Sequence, residues 1–157
     1  GSGRLRRVGD GRNLIDTVYV DNAAHAHLLA ADALTSGSPA AGSAYFISQG
    51  QPVNCWQWID RILALAGLPP VRRSMTLKMA WRIGLVCEVL YAALRIHRDP
   101  PMTRFLAAQL ATNHYYDISR ARRELGYQPQ VSTEEGMQRL GRELATGGTA
   151  SPLENNV

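Results

Sequence analysis

Residues 8–34 read VGDGRNLIDTVYVDNAAHAHLLAADAL, and their order decides the fold. Asp16–Val20 (DTVYV) concentrates β-branched and aromatic residues, which favour a pleated, half-buried strand. Asp21 then opens a run rich in Ala and Leu, the composition of a helix, with its carboxylate placed to accept the first free backbone N–H groups. Thr35-Ser36-Gly37-Ser38-Pro39 stops that helix. The stretch therefore reads as strand, cap and helix.

The same order recurs downstream. Ala44–Ser48 (AYFIS) predicts a second short strand, Gln49-Gly50-Gln51-Pro52 a turn, and Asn54 the cap of a helix running to about Ala66. Gly67 ends that helix, and Pro69-Pro70 forbid its continuation. Two strand–helix units in succession predict an α/β architecture with parallel pairing. The loop ahead of them, Val8-Gly9-Asp10-Gly11, resembles a phosphate loop by glycine count alone. It leads into a strand rather than a helix, so the glycines are expected to permit turns with positive φ.

Beyond these units the chain turns helical. Residues 76–96 (TLKMAWRIGLVCEVLYAALRI) are apolar almost all round, interrupted by Lys78, Arg82 and Glu88. Three charges make a membrane span unfavourable, which leaves a helix covering a hydrophobic pocket or, less favoured, one lying on a membrane surface. After Pro100-Pro101, Thr103–Ala111 predicts a short helix and His114–Tyr116 a short extended segment. Asp117 caps a helix ending at Gly126. Ser132 and Glu135, three apart, form a capping box that opens a last helix to about Leu144. The architecture is thus mostly helical with a few short strands; residues 1–4 read as a tag or linker, 5–145 as the folded part and 146–157 as a disordered tail.

With 157 residues, 45% hydrophobic and 19% charged, the chain is long enough for one core. Its net charge is +4, but the cations are dispersed in pairs such as Arg72-Arg73 and Arg122-Arg123, which argues against nucleic acid as a partner. Cys55 and Cys87 have no partner at metal spacing and read as small core residues of a reducing, cytoplasmic compartment. His25 and His27 are two apart on a helix and point in different directions, so no metal site is supported. His114-Tyr115-Tyr116-Asp117 alternates faces, and His97 sits in a charged loop; neither assembles an acid/base pair.

Taken together, residues 8–34, then 41–53 (AGSAYFISQGQPV) and 103–137 (TRFLAAQLATNHYYDISRARRELGYQPQVSTEEGM) resemble the C-terminal, substrate-binding part of extended short-chain dehydrogenases, specifically the 3β-hydroxysteroid dehydrogenase branch. Within that branch the chain most resembles the bacterial 2-alkyl-3-oxoalkanoate reductases of olefin biosynthesis; sterol dehydrogenases share the motifs. The resemblance implies an NAD(P)-dependent parent oxidoreductase whose GxGxxG turn and catalytic Ser/Tyr/Lys set, with YxxxK, precede the matched region. No Tyr in this chain has a Lys four residues on. The expectation is a part lacking the N-terminal Rossmann half, with no catalytic or cofactor-binding residue of its own, inactive alone and holding no NAD(P).

One departure from the wider superfamily bears on substrate. Nucleotide-sugar members carry a diphosphate-binding Arg where this chain has Ile15, and an aromatic that contacts the nucleobase where it has Thr17. An isoleucine cannot pair with a diphosphate. The expected pocket is therefore apolar, for a hydrophobic β-keto or β-hydroxy substrate, and is lined by Ile15, Thr17, Met75, Met79, Trp81, Leu85 and Tyr91. Arg104, from the family's Thr-Arg pair, meets either a carboxylate or phosphate of the ligand or a structural ion-pair partner. Apolar surface left uncovered implies self-association, and the apolar helix a peripheral membrane or multi-enzyme contact. A non-enzymatic lipid- or partner-binding module is the competing reading.

Overall fold

Six helices and four two-residue strands make up the described residues of the computed structural model, 5–35 and 37–146. The linker reading of residues 1–4 and the tail reading from 147 onward fall outside them; Thr146 closes the last helix. In chain order the elements are β1 (Arg7–Val8), β2 (Leu14–Ile15), α1 (Val20–Ala33), β3 (Val53–Asn54), α2 (Cys55–Leu65), β4 (Ser74–Met75), α3 (Leu77–Ala93), α4 (Arg104–Gln109), α5 (Ser119–Leu125) and α6 (Thr133–Ala145).

Local chemistry starts and stops most of the helices where the sequence places the signals. The Asn54 side chain accepts from the N–H groups of Trp56 and Gln57, and Thr76, Thr103 and Ser132 each accept from the N–H three residues on. Gly67 and Gly126 leave α2 and α5 with φ of +67° and +66°. Gly9 and Gly11 also take positive φ, as turns between β1 and β2.

The strands depart from expectation. Asp16–Val20 is not a strand: the ladder is confined to Leu14–Ile15, and Val20 already belongs to α1. The reason is a change of partner. Asp16 donates its N–H to the His114 carbonyl, but the Thr17 carbonyl accepts from Gln49 N, so no single neighbour runs beside the whole stretch. Asp21 is not the cap either. It lies in the first turn of α1, behind an N-cap Tyr19 with no side-chain bond, and its carboxylate takes Arg139 of α6 at 3.1 Å. Asp117 bonds the Ser119 N–H at 2.8 Å from one residue before the cap position, Ile118.

Ala44–Ser48 forms no strand, and the parallel pairing of two strand–helix units is absent. Side chains hold this segment instead: Tyr45 donates to Glu124, Phe46 stacks on Tyr116 and Tyr127 donates to the Ser48 carbonyl. The pairs that do form are β1 with β4, parallel, and β2 with β3, antiparallel.

Buried apolar residues form two cores. One gathers Val8, Cys55, Trp56, Val71, Ala80 and Ala107, with Ile15 and Met75 packed against it. The other gathers Ala26, Ala40, Ile118, Ala121, Leu125 and Tyr127 between α1 and α5. Cys55 lies at the Asn13 side of the first core, and burial pushes its thiol up from its ordinary range, as befits an inert packing residue.

Candidate functional site

The extended segment Thr17–Tyr19 leaves β2 and runs across the face of α6, and a cleft of about 200 Å³ opens between them. Trp58 of α2 forms one wall, Gly136, Met137 and Leu140 of α6 another, and Gln49 and Ser132 close the ends. The close approach depends on Gly136: a Cβ there would stand 2.8 Å from the Tyr19 ring. Arg139 lies 5.4 Å over the same ring while bridging Asp21 and Glu135, and Arg61 of α2 reaches Glu134 at 2.6 Å. These ion pairs fasten α1, α2 and α6 around the cleft.

Among the described residues no charged side chain lines this cleft. Its polar lining comes from Thr17, Tyr19, Gln49, Ser132 and Thr133, and among these Thr17 Oγ1 and Thr133 Oγ1 are buried with no hydrogen-bond partner among the described residues. Such a group can donate to a ligand carbonyl or carboxylate, or accept from a ligand hydroxyl. At roughly 30 Å³ per water-sized group the space holds about seven such groups, one alkyl arm rather than a whole drug-sized ligand.

The eight residues singled out by sequence do not converge. Thr17 lines the cleft, whereas Ile15 and Met75 pack on the first core. Trp81 lies in a second groove, of about 340 Å³, with Leu77, Lys78, Arg82 and Ala108. Met79 is exposed, and Leu85 and Tyr91 are half-buried along α3. Arg104 lies 5.5 Å over the Trp81 ring and pairs with Glu88 at 2.7 Å. Sequence reasoning did not name Val18, Trp58, Thr133, Gly136, Met137 or Leu140. The α6 residues share a helix face at i, i+1 and i+4 spacing, but only the three-dimensional path of Thr17–Tyr19 identifies that face as a wall.

Glu88 accepts both the backbone N–H and the guanidinium of Arg104, and these bonds, the backbone one foremost, hold its carboxyl below the usual glutamate range. A carboxyl depressed by folding adds stability above its unfolded pKa and loses it as pH falls through the folded value. The α3–α4 clamp is accordingly expected to loosen on acidification below the ordinary glutamate range. Glu88→Gln should flatten the low-pH limb of the thermal-stability profile, and an unchanged limb would exclude this pair as its source.

Among the described residues there is no group of three or more His, Cys, Asp or Glu able to hold a metal. His25 and His27 follow separate partners, Gln130 and the Ala23 carbonyl.

The sequence profile of the 3-beta hydroxysteroid dehydrogenase/isomerase family matches residues 2–78. A 2-alkyl-3-oxoalkanoate reductase of Stenotrophomonas maltophilia is 53% identical over 138 residues, which is 88% of this chain and 42% of that protein. The chain is similar to the 3-beta hydroxysteroid dehydrogenase/isomerase family. A second 2-alkyl-3-oxoalkanoate reductase, of Shewanella oneidensis, is 47% identical over 88% of the chain and 36% of its own length. The chain thus spans about two fifths of these family members. The crystal structure of gox2253 shares the fold, with a TM-score of 0.59 at 21% identity over 87% of this chain and 38% of that one.

The family implies a nicotinamide dinucleotide, but the glycine loop of this chain does not fit its phosphates. A Cβ at Gly9 would meet Ala111 at 3.2 Å and one at Gly11 would meet Arg7 at 2.9 Å. Both glycines thus open onto the chain's own side chains. The loop ends in β2, whereas a pyrophosphate cradle ends in a helix N-terminus.

Proposed function

We propose that this chain forms substrate-holding walls of an NAD(P)-dependent reductase acting on a hydrophobic β-keto or β-hydroxy acid, of which a 2-alkyl-3-oxoalkanoate is the best match. The observation that carries this reading is the cleft beside Thr17, apolar and without a charged lining residue. An alkyl arm loses its hydration there at about 0.8 kcal/mol per buried CH₂, while a diphosphate finds no cation to replace its water. Ile15 supports the same preference, because it packs into the core rather than presenting a donor. The similarity to two 2-alkyl-3-oxoalkanoate reductases supports the substrate class.

The proposed lining is Thr17, Val18, Trp58, Thr133, Met137 and Leu140, with Ile15 and Met75 behind it in the core. Trp81 lines the second groove with Arg104 stacked over its ring, and these two, with Met79, Leu85 and Tyr91 on the same helix as Trp81, are proposed as a distal wall. Hydride and proton transfer are assigned to residues outside this chain. Two measurements test the proposal. The 157-residue chain mixed with NADP⁺ and a 2-alkyl-3-hydroxy acid is expected to show no nicotinamide reduction, and the chain titrated separately into NADPH no shift in its fluorescence. Turnover by the chain alone would overturn the assignment. Thr17→Val should weaken binding of the hydroxy acid about tenfold, the worth of a hydrogen bond to ligand, while the melting temperature holds or rises because an unpaired buried hydroxyl is gone. Unchanged affinity would remove Thr17 from the site.

A further inference from the structure

Met137 lines two separate spaces. It belongs to the wall of the cleft beside Thr17, and also to a third groove, of about 260 Å³ between α2 and α6, with Arg61, Ala64, Leu65, Glu134 and Gln138. Among the described residues no other lines both. The helical order explains the division. At about 100° per residue, Gly136, Leu140 and Thr133 follow one another around α6 on the cleft side. Met137 comes next, and Glu134 and Gln138 lie beyond it on the groove side.

The setting of Met137 is that of a movable partition rather than a core anchor. It is 5% exposed, yet it belongs to neither apolar core. Its side chain is unbranched and turns about three bonds, so it changes shape at low cost, whereas a β-branched residue is held stiffly at its first torsion. The helices around it are fastened by other contacts. Arg61 of α2 pairs with Glu134 of α6 at 2.6 Å, and a Cβ on Gly141 would stand 3.1 Å from Leu65 Cδ2. The side chain can therefore swing without α2 and α6 parting. Arg61 and Glu134 also satisfy each other, which leaves the groove, like the cleft, without an unpaired charge among the described residues.

We infer that Met137 is the gate that sets how long an alkyl arm this chain accepts, and that the groove behind it takes the distal half of a long arm. The inference rests on the proposed reading of the cleft as an alkyl pocket. The cleft holds about seven methylene-sized groups, and the groove adds room for roughly eight more. With Met137 turned aside, the two spaces join into one channel between the Thr17 and Thr133 hydroxyls and the partly exposed Leu65.

The test is calorimetric titration of the 157-residue chain with two series of 2-alkyl-3-hydroxy acids, one lengthening the 2-alkyl arm and the other the chain beyond C3. Arms of about four to about fourteen carbons, kept below their aggregation concentrations, run from well inside the cleft to nearly filling both spaces. In at least one series affinity should rise about fourfold per CH₂ and keep rising past about seven carbons. Met137→Ile keeps the bulk but stiffens the side chain, and should end the rise at about seven. Ala64→Phe fills the groove from an exposed position on α2, where little stability is at stake, and should end it at the same length. Circular dichroism and melting curves confirm that the variants fold. A rise that stops at about seven carbons in the unaltered chain overturns the inference and leaves the alkyl reading of the cleft standing, as does a rise that Ala64→Phe leaves intact. Failure of every acid to bind overturns both.

Discussion

Replacing Asn22 with alanine is expected to cost about 4 kcal/mol of folding stability. Asn22 is 1% exposed and makes four hydrogen bonds with its amide. The nitrogen donates to Gln49 Oε1 and to the Val131 carbonyl, and the oxygen accepts from the N–H groups of Gln130 and Val131. Gln49 Nε2 still reaches the Val131 carbonyl in the variant, and Tyr19 N still reaches Gln49 Oε1. The two N–H groups of Gln130 and Val131 have no such reserve. Each stranded buried donor costs about 1–3 kcal/mol, and a small cavity adds to the sum. The readout is a lower urea midpoint at unchanged slope. A loss under about 1 kcal/mol would mean that water replaces the amide at small cost. The same change should impair ligand binding, since Gln49 and Ser132, on either side of these bonds, both line the cleft.

The second large effect is Gly84→Ala, expected to destabilise by about 3 kcal/mol. Within a helix this exchange ordinarily gains about 1 kcal/mol, because alanine loses less backbone entropy. Here the new methyl would stand 2.6 Å from the Arg104 nitrogen and the Thr103 carbonyl carbon, and 2.9 Å from the Thr103 oxygen. Those atoms are backbone and cannot rotate away, so α3 and α4 must part. Separation would also strain the Arg104–Glu88 bonds that join the two helices. A thermal melt decides the sign. Stabilisation by the methyl would show that α4 yields freely, and that the α3–α4 contact is looser than the structure has it.

What could be read from sequence follows the range of the interactions involved. Helix caps are local: Asn54, Thr76, Thr103 and Ser132 act on backbone two or three residues away, so their type and spacing suffice. Strands need a distant partner, and here composition misled. DTVYV has strand residues, yet its bonds divide between His114 and Gln49, and AYFIS finds only side-chain anchors. Asn22 shows the same limit. In sequence it is one polar residue behind Asp21, while the groups it serves lie 27 to 109 residues away.

The candidate site was legible to a similar degree. Thr17 was reached through the family resemblance, since it replaces an aromatic residue at an otherwise recognisable position; it is one of the residues lining the cleft. The opposing wall on α6 was hidden because Gly136, Met137 and Leu140 carry no chemical signal alone. Residues 76–96 read as apolar all round, which is accurate as composition. Only the packing distinguishes the thin face of Ala80 and Gly84 from the exposed stripe of Val86, Val89 and Leu90.

The central claim is that the cleft beside Thr17 accepts an apolar acid and refuses a nucleotide sugar. Calorimetric titration of the 157-residue chain with a 2-alkyl-3-hydroxy acid, and in parallel with UDP-glucose, tests it most directly. The stable hydroxy acid is the suitable probe because β-keto acids decarboxylate on standing. Saturable heat for the branched hydroxy acid and none for UDP-glucose is the predicted result. Saturable binding of UDP-glucose, or no binding of the hydroxy acid by a chain shown to be folded, would contradict it.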